Sequence, residues 1–270
     1  MSTSNQYGQT FEQVNQVSRP VESKHPWGTM LVCIERPEFA FGRLRIAAGA
    51  CIPLHFYRLS LMTYLVEEGE ITTRLLRPDA VLEPMCLRQR QVLHVPAGCS
   101  HSFFASQPST LYFFTTPGFA GDRHLLEDTG AAQSAFSALA SKGGSLREGK
   151  PTVDFRDKYW GSIETVRSDD IAGKRIFLRK GGQSSLEYHV FKTEAYYVHS
   201  GSICVGLRVG RGENKMIMLA PGDAFTILPG TMHMRIALED SLVIEASTRD
   251  DDADSHLVED GMKYKHLVPN

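Results

Sequence analysis

Four residues in the second half of the chain have the types and spacing to hold a divalent metal ion: Glu187, His189, Glu194 and His233. They sit in the frame Gly181-x5-Glu187-x-His189-x4-Glu194-x6-Gly201, followed by Gly222-Asp223 and Leu228-Pro229-Gly230-Thr231-Met232-His233. Glu187 and His189 are two apart, so on a strand they face the same side. A turn then leads to Glu194 at the start of the next strand, and Gly201 turns that strand back. Pro229-Gly230 makes a tight turn that delivers His233 from a distant strand. Two imidazoles and two carboxylates converging inside one barrel suit Zn²⁺, Mn²⁺ or Fe²⁺, with one or two coordination positions left open. Acids on inward positions are costly unless paired or metal-bound, which favours the metal over a merely polar core.

Three further residues fall beside this set. Tyr196 shares the inward face with Glu194, which makes its hydroxyl an acid or substrate anchor near the metal, or else makes it a core aromatic. Arg235, two residues after His233, also points inward, where its planar fork suits a carboxylate or phosphate. Lys192 lies in the turn between the ligand segments, either to hold an anionic group with Arg235 or as a solvated turn lysine. These three are the catalytic candidates.

The elements that position them recur. Shifting the chain by 132 residues places Gly49 on Gly181, Tyr64 on Tyr196, Gly69 on Gly201, Gly98 on Gly230 and His101 on His233. Asp122-x-His-Leu-x-Glu-Asp128 falls on Asp254-x-His-Leu-x-Glu-Asp260, and a Trp-Gly pair opens each half at Trp27 and Trp160. So many matches in one order indicate a tandem duplication. The repeated His124 and His256 read as architectural. The first half keeps the frame and loses the ligands: Tyr57 stands in place of the second ligand and Met62 in place of Glu194, leaving His55 and His101. Two neutral ligands with no carboxylate predict a metal-free first barrel, used for packing, dimerisation or as a non-catalytic pocket.

Within each half, short segments rich in β-branched and aromatic residues, such as RIFLRK, SICVGLRV and SLVIEAS, are separated by Gly, Pro, Asn and Asp. That pattern predicts an all-β sandwich or small barrel. The boundaries expected are a flexible tail over 1–20, a first barrel over 21–129, a linker with a short helix over 130–150, a second barrel over 151–262 and a C-terminal tail over 263–270. The Ala-rich stretch 131–140 supplies the helix and Ser141-Lys142-Gly143-Gly144-Ser145 the flexible connector.

A formal net charge of −2 argues against nucleic acid or a membrane surface as partner. No apolar run is long enough for a bilayer span, and the polar N-terminus does not read as a secretory signal. Five cysteines with no CxxC pair are expected as reduced thiols, in keeping with a cytoplasmic protein.

The ligand frame of the second half resembles the two motifs of the cupins, in which His-x-His, a Glu and a later His bind a metal in a small β-barrel. The chain is identified on these grounds as a bicupin of two tandem double-stranded β-helix barrels. Ser185-Leu-Glu-Tyr-His189-Val-Phe-Lys-Thr-Glu194 further resembles the phosphomannose isomerases, which carry Leu-Gln-x-His, a basic residue and Glu. Lys158-Tyr-Trp-Gly161 is similar to their Lys-Pro-Trp-Gly, and His256-Leu-Val-Glu-Asp-Gly261 to their closing Arg-Leu-Glu-Asp. Glu187 replaces their Gln and adds a negative charge to the site. The resemblance implies a metal-dependent isomerase or epimerase of sugars, sugar phosphates or related hydroxy-carbonyl compounds. A cupin oxygenase or other tailoring enzyme, and a non-enzymatic small-molecule binder, are the competing readings. The partners expected are a small-molecule substrate and a second copy of the chain.

Overall fold

A computed structural model of the chain describes residues 17–142, 146–152, 154–208 and 214–268. Residues 1–16 of the expected tail and Gly143-Gly144-Ser145 of the expected connector lie outside them. Two compact units divide the chain, one over Val21–Thr152 and the other over Val153–Asn270 together with the N-terminal stretch up to Pro20. Each unit is two sheets, of seven and six strands in the first and six and five in the second, antiparallel except where Arg147–Glu148 runs parallel to Leu82–Arg88. The fold is all-β, a pair of jelly-roll barrels.

In the second unit the strand Glu194–Ser200 lies between Ser241–Thr248 and Ala224–Ile227. Alternation points Glu194, Tyr196 and Val198 to the interior. The register places Val243 beside Ile176 and Val198, and Glu245 beside Lys174 and Tyr196. The inward rows therefore start apolar and end charged. Ile176, Val198 and Val243 belong to the core that also holds Trp160, Ile203, Val205, Leu207 and Phe225. Lys174, Glu194 and Glu245 stand at the other end of the same rows and are buried as well.

The repeated Trp-Gly pairs have a steric cause. Gly161 adopts φ +148°, and a Cβ there would lie 1.9 Å from the carbonyl oxygen of Phe177; at Gly28, with φ +142°, it would lie 2.0 Å from that of Arg45. No side chain fits between these two backbones. The repeated Asp motif also has one job in both halves. Asp122 accepts the N–H groups of Leu59 and Ser60 at 2.7 Å, and Asp254 those of Val190, Phe191 and Lys192. His124 stacks on Phe56 and His256 on Tyr188, so both histidines pack rather than react.

Several boundaries differ from those expected. The helix Thr129–Lys142 is not a free linker: Ala132 and Phe136 are buried against Cys51 and Phe104 of the first barrel. Arg147–Glu148 and Lys150–Pro151 then add edge strands to that barrel's two sheets. At the N-terminus Ser18 bridges to Ala224, and Arg19 pairs with Asp223 at 2.6 Å, so these residues belong to the second unit. At the C-terminus Gly261–Leu267 is a 3₁₀ helix whose Lys263 and Tyr264 are tied to Glu259. In each case a few polar or apolar anchors fix a segment whose composition alone reads as loop. All five cysteines are free, and all but Cys99 are buried. No helix among the described residues is long and apolar enough to cross a membrane.

Candidate metal centre

The short strand Leu186–Tyr188 lies beside Met232–Ala237 with Glu187 directly across from His233. His189 follows the strand end, and its carbonyl accepts the N–H of Gly230, which ties the Pro229-Gly230 turn to the first ligand segment. One donor atom each from Glu187, His189 and His233 falls within 4.8 Å of the others. Glu194 is not one of these three but stands beside the two imidazoles, its oxygens lying 3.2 Å from Nε2 of His189 and 3.1 Å from Nε2 of His233. Two donors about 2.1 Å from one ion at right angles stand about 3 Å apart, so this spacing is what a shared ion requires.

The imidazoles are oriented for that role. Nδ1 of His189 donates to the carbonyl of Asp254 and Nδ1 of His233 to that of Thr231, each at 2.9 Å. This places the lone pair of each ring on Nε2, the arrangement that metal-bound histidines show. Both Nε2 atoms are buried and neither has a hydrogen-bond partner. Orphaned buried acceptors of this kind are rare in a folded protein. The donor set and these two atoms fit a divalent ion.

A charged network surrounds the four ligands. Nζ of Lys192 contacts Glu194 at 2.5 Å, Asp250 at 2.8 Å and Glu245 at 3.4 Å. Lys174 reaches the same Asp250 and Glu245, at 2.8 and 3.4 Å. Arg235 holds Glu245 at 3.1 Å and Glu187 at 3.4 Å, and lies over the rings of Tyr196 and Trp160. Burial opposes the ionised form of Glu194, but the Lys192 ammonium outweighs it and holds the carboxyl well below the usual range. Burial likewise opposes the charge on Asp250, yet Lys174 and Lys192 bring it down to about 2. For Lys192 the carboxylates outweigh burial and keep the ammonium charged.

The three catalytic candidates are thus brought together, in roles that differ from those expected. Lys192 is not a solvated turn lysine: it is 4% exposed, and acids surround it. Arg235 lines the cavity but already binds two carboxylates, leaving only its buried Nε without a partner. Tyr196 is fully buried and donates to Glu194 at 2.7 Å, so its hydroxyl faces the ligand and not the cavity. Sequence reasoning missed Lys174, Glu245 and Asp250. Glu245 did leave a signal, as the only acid in the apolar run SLVIEAS. The cavity in front of the ligands measures about 410 Å³ and is walled by Glu187, His189, Lys192, Glu194, Arg235 and Tyr159, among others.

The first barrel repeats the frame without the charges. His55 lies across from His101, as Glu187 does from His233. There Nε2 of His101 accepts a hydrogen bond from the Tyr64 hydroxyl at 2.8 Å. Among the described residues, the second barrel alone gathers three or more side chains of metal-binding type.

No protein-family model matches the sequence, and no curated protein matches it. Solved structures do. An arginine-to-alanine variant of oxalate decarboxylase from Bacillus subtilis superposes with a TM-score of 0.70 at 12% identity, over 91% of this chain and 80% of that one. A structure from work on the Mn(II) centres of the same enzyme gives 0.69 at 12% identity over the same shares. The form at pH 4.6 gives 0.66 at 13%, over 88% and 77%. The fold is that of a bicupin. At such low identity the likeness speaks for the architecture of both barrels, and the chemistry of this chain rests on its own side chains.

Proposed function

We propose that the second barrel of this bicupin is a divalent-metal-dependent enzyme that moves a proton on a small anionic hydroxy-carbonyl compound, as an isomerase or epimerase of sugar phosphates or related acids. The observation that carries the reading is the pair of orphaned Nε2 atoms of His189 and His233 beside two carboxylates at the wall of a cavity. When bound, a Zn²⁺, Mn²⁺ or Fe²⁺ ion supplies Lewis-acid polarisation of a carbonyl oxygen.

The chain's own residues do the rest. Three cations, Lys174, Lys192 and Arg235, face four carboxylates, Glu187, Glu194, Glu245 and Asp250, a formal balance of one negative charge. Arg156, Lys158, Asp251, Asp252 and Asp260 also line the cavity, so a divalent ion would bring its walls to formal neutrality. Arg235 holds Glu187 and Glu245 from the cavity wall. Lys192 and Tyr196 hold Glu194 in place from behind. Glu187 faces the cavity with 22% of its side chain exposed, and its other partner is the Ser255 hydroxyl at 3.0 Å. It is therefore the carboxylate best placed to take and return a proton. The similarity of Ser185–Glu194 to the phosphomannose isomerases supports the same chemistry.

The test is anaerobic turnover in D₂O of the metal-loaded protein with hexose and pentose phosphates and with short hydroxy- and oxo-acids, followed by proton NMR. Deuterium entering the carbon next to the carbonyl is the expected result. Strict dependence on O₂, or release of CO₂ without such exchange, would replace the isomerase reading with an oxygenase or a decarboxylase.

A further inference from the structure

The first barrel contains a cavity of about 230 Å³ that the chemistry above does not use. Its wall is largely apolar and ring-rich, with Trp27, Met30, Leu44, Phe103, Phe113 and Phe119 among its residues. Among the described residues no carboxylate lines it. The polar groups at its end are neutral. Burial lowers the basicity of His55 well below the ordinary imidazole range and brings His101 down to about 4.

One cation stands at this cavity. Arg123 lies on the short strand Arg123–Leu125, across from Tyr57 in register, and both residues line the space. Among the described residues Arg123 has no ion-pair partner, while Asp122 beside it is occupied with the backbone of Leu59 and Ser60. A guanidinium facing an acid-free apolar cavity is a recognition element for an anion with an apolar body.

We propose that the first barrel binds a small monoanion carrying a ring-sized apolar body, of the aryl-carboxylate class, with the carboxylate on Arg123 and the ring among Trp27, Phe103 and Phe113. The size agrees: a cavity of about 150 Å³ accepts benzene, so 230 Å³ accommodates a six-membered ring with a short acid arm. The site is distinct from the metal centre and needs none of its ligands.

Phenylacetate is the probe, with neutral 2-phenylethanol and acetate as controls, titrated into the full-length protein by calorimetry and by amide chemical shifts. Saturable phenylacetate binding is expected, with shifts centred on Trp27, Phe113 and Arg123, unchanged by EDTA. Arg123→Gln should weaken phenylacetate about tenfold and leave 2-phenylethanol within about twofold, since only the charged contact is removed. Acetate should bind neither protein. Three results would each overturn the proposal: no saturable phenylacetate binding up to about 10 mM, equal affinity in Arg123→Gln, or shifts confined to Glu187–Glu194.

Discussion

Replacing Lys192 by methionine separates a structural ammonium from a substrate-binding one. The side chain is 3% exposed and touches Glu194, Asp250 and Glu245 at 2.5, 2.8 and 3.4 Å. At an effective dielectric of about 20, each attraction is worth about 5–7 kcal/mol, set against several kcal/mol to desolvate each ion. Lys174 and Arg235 still neutralise Asp250 and Glu245 in the variant, but Glu194 keeps only the Tyr196 hydroxyl as a donor. A buried charge stripped of its partner costs about 3–5 kcal/mol, and that is the loss expected for Lys192→Met. Urea unfolding of EDTA-treated protein at neutral pH measures it. Adding Glu194→Gln to Lys192→Met should recover at least about 1 kcal/mol, because the stranded charge goes too. A loss below about 1 kcal/mol, with no coupling between the two sites, would refute this assignment and return Lys192 to the substrate.

Three other outcomes are expected. Elemental analysis after mild dialysis should find one divalent metal per chain; His189→Ala or His233→Ala should remove it, and His55→Ala should not. Acidification should weaken the first barrel through His101: an imidazole with a folded-state value of about 4 against about 6.5 unfolded gives stability that is intact above pH 6.5 and lost progressively towards pH 4. Its share at pH 5 is about 2 kcal/mol, visible as a smaller pH dependence of urea unfolding in His101→Phe, and an NMR titration placing His101 near 6.5 would contradict it. Gly161→Ala should cost at least about 2 kcal/mol in thermal unfolding, because its Cβ would meet the Phe177 carbonyl in a left-handed backbone region.

The duplication, the β class and the convergence of Glu187, His189 and His233 with Glu194 beside them were legible because glycine, proline and metal-ligand types occupy fixed positions in a short-period strand pattern. Parity on the strand was enough to set Glu194 and Tyr196 on one face. It was not enough to tell which of the two lines the cavity, because parity does not say which side chain screens the other. Lys192 was ambiguous for a different reason. A lysine in a turn is usually solvated, and its burial depends on Asp250 and Glu245, both more than fifty positions away in the chain. The helix over Thr129–Lys142 was legible as a helix, but its docking was not, since Ala132 and Phe136 form too short an apolar face to announce a partner.

The 132-residue offset also accounts for why the barrels diverged together and not residue by residue. Lys174 lies across from Glu245 in the second barrel, and Gly42 lies across from Phe113 at the same places in the first. Phe113 packs so closely over Gly42 that a Cβ there would be 2.5 Å from its ring. Glu194, Arg235 and Asp250 correspond to Met62, Phe103 and Gly118, and Lys192 to Ser60. Removing one charge alone would strand its partners at a cost of several kcal/mol, whereas in the first barrel the whole set is replaced by uncharged residues, among them Met62, Phe103 and Phe113. The network is therefore retained or lost as a unit. Its loss leaves, among the described residues, an apolar cavity with no carboxylate in its wall, the space in which we propose that a ring-shaped anion binds.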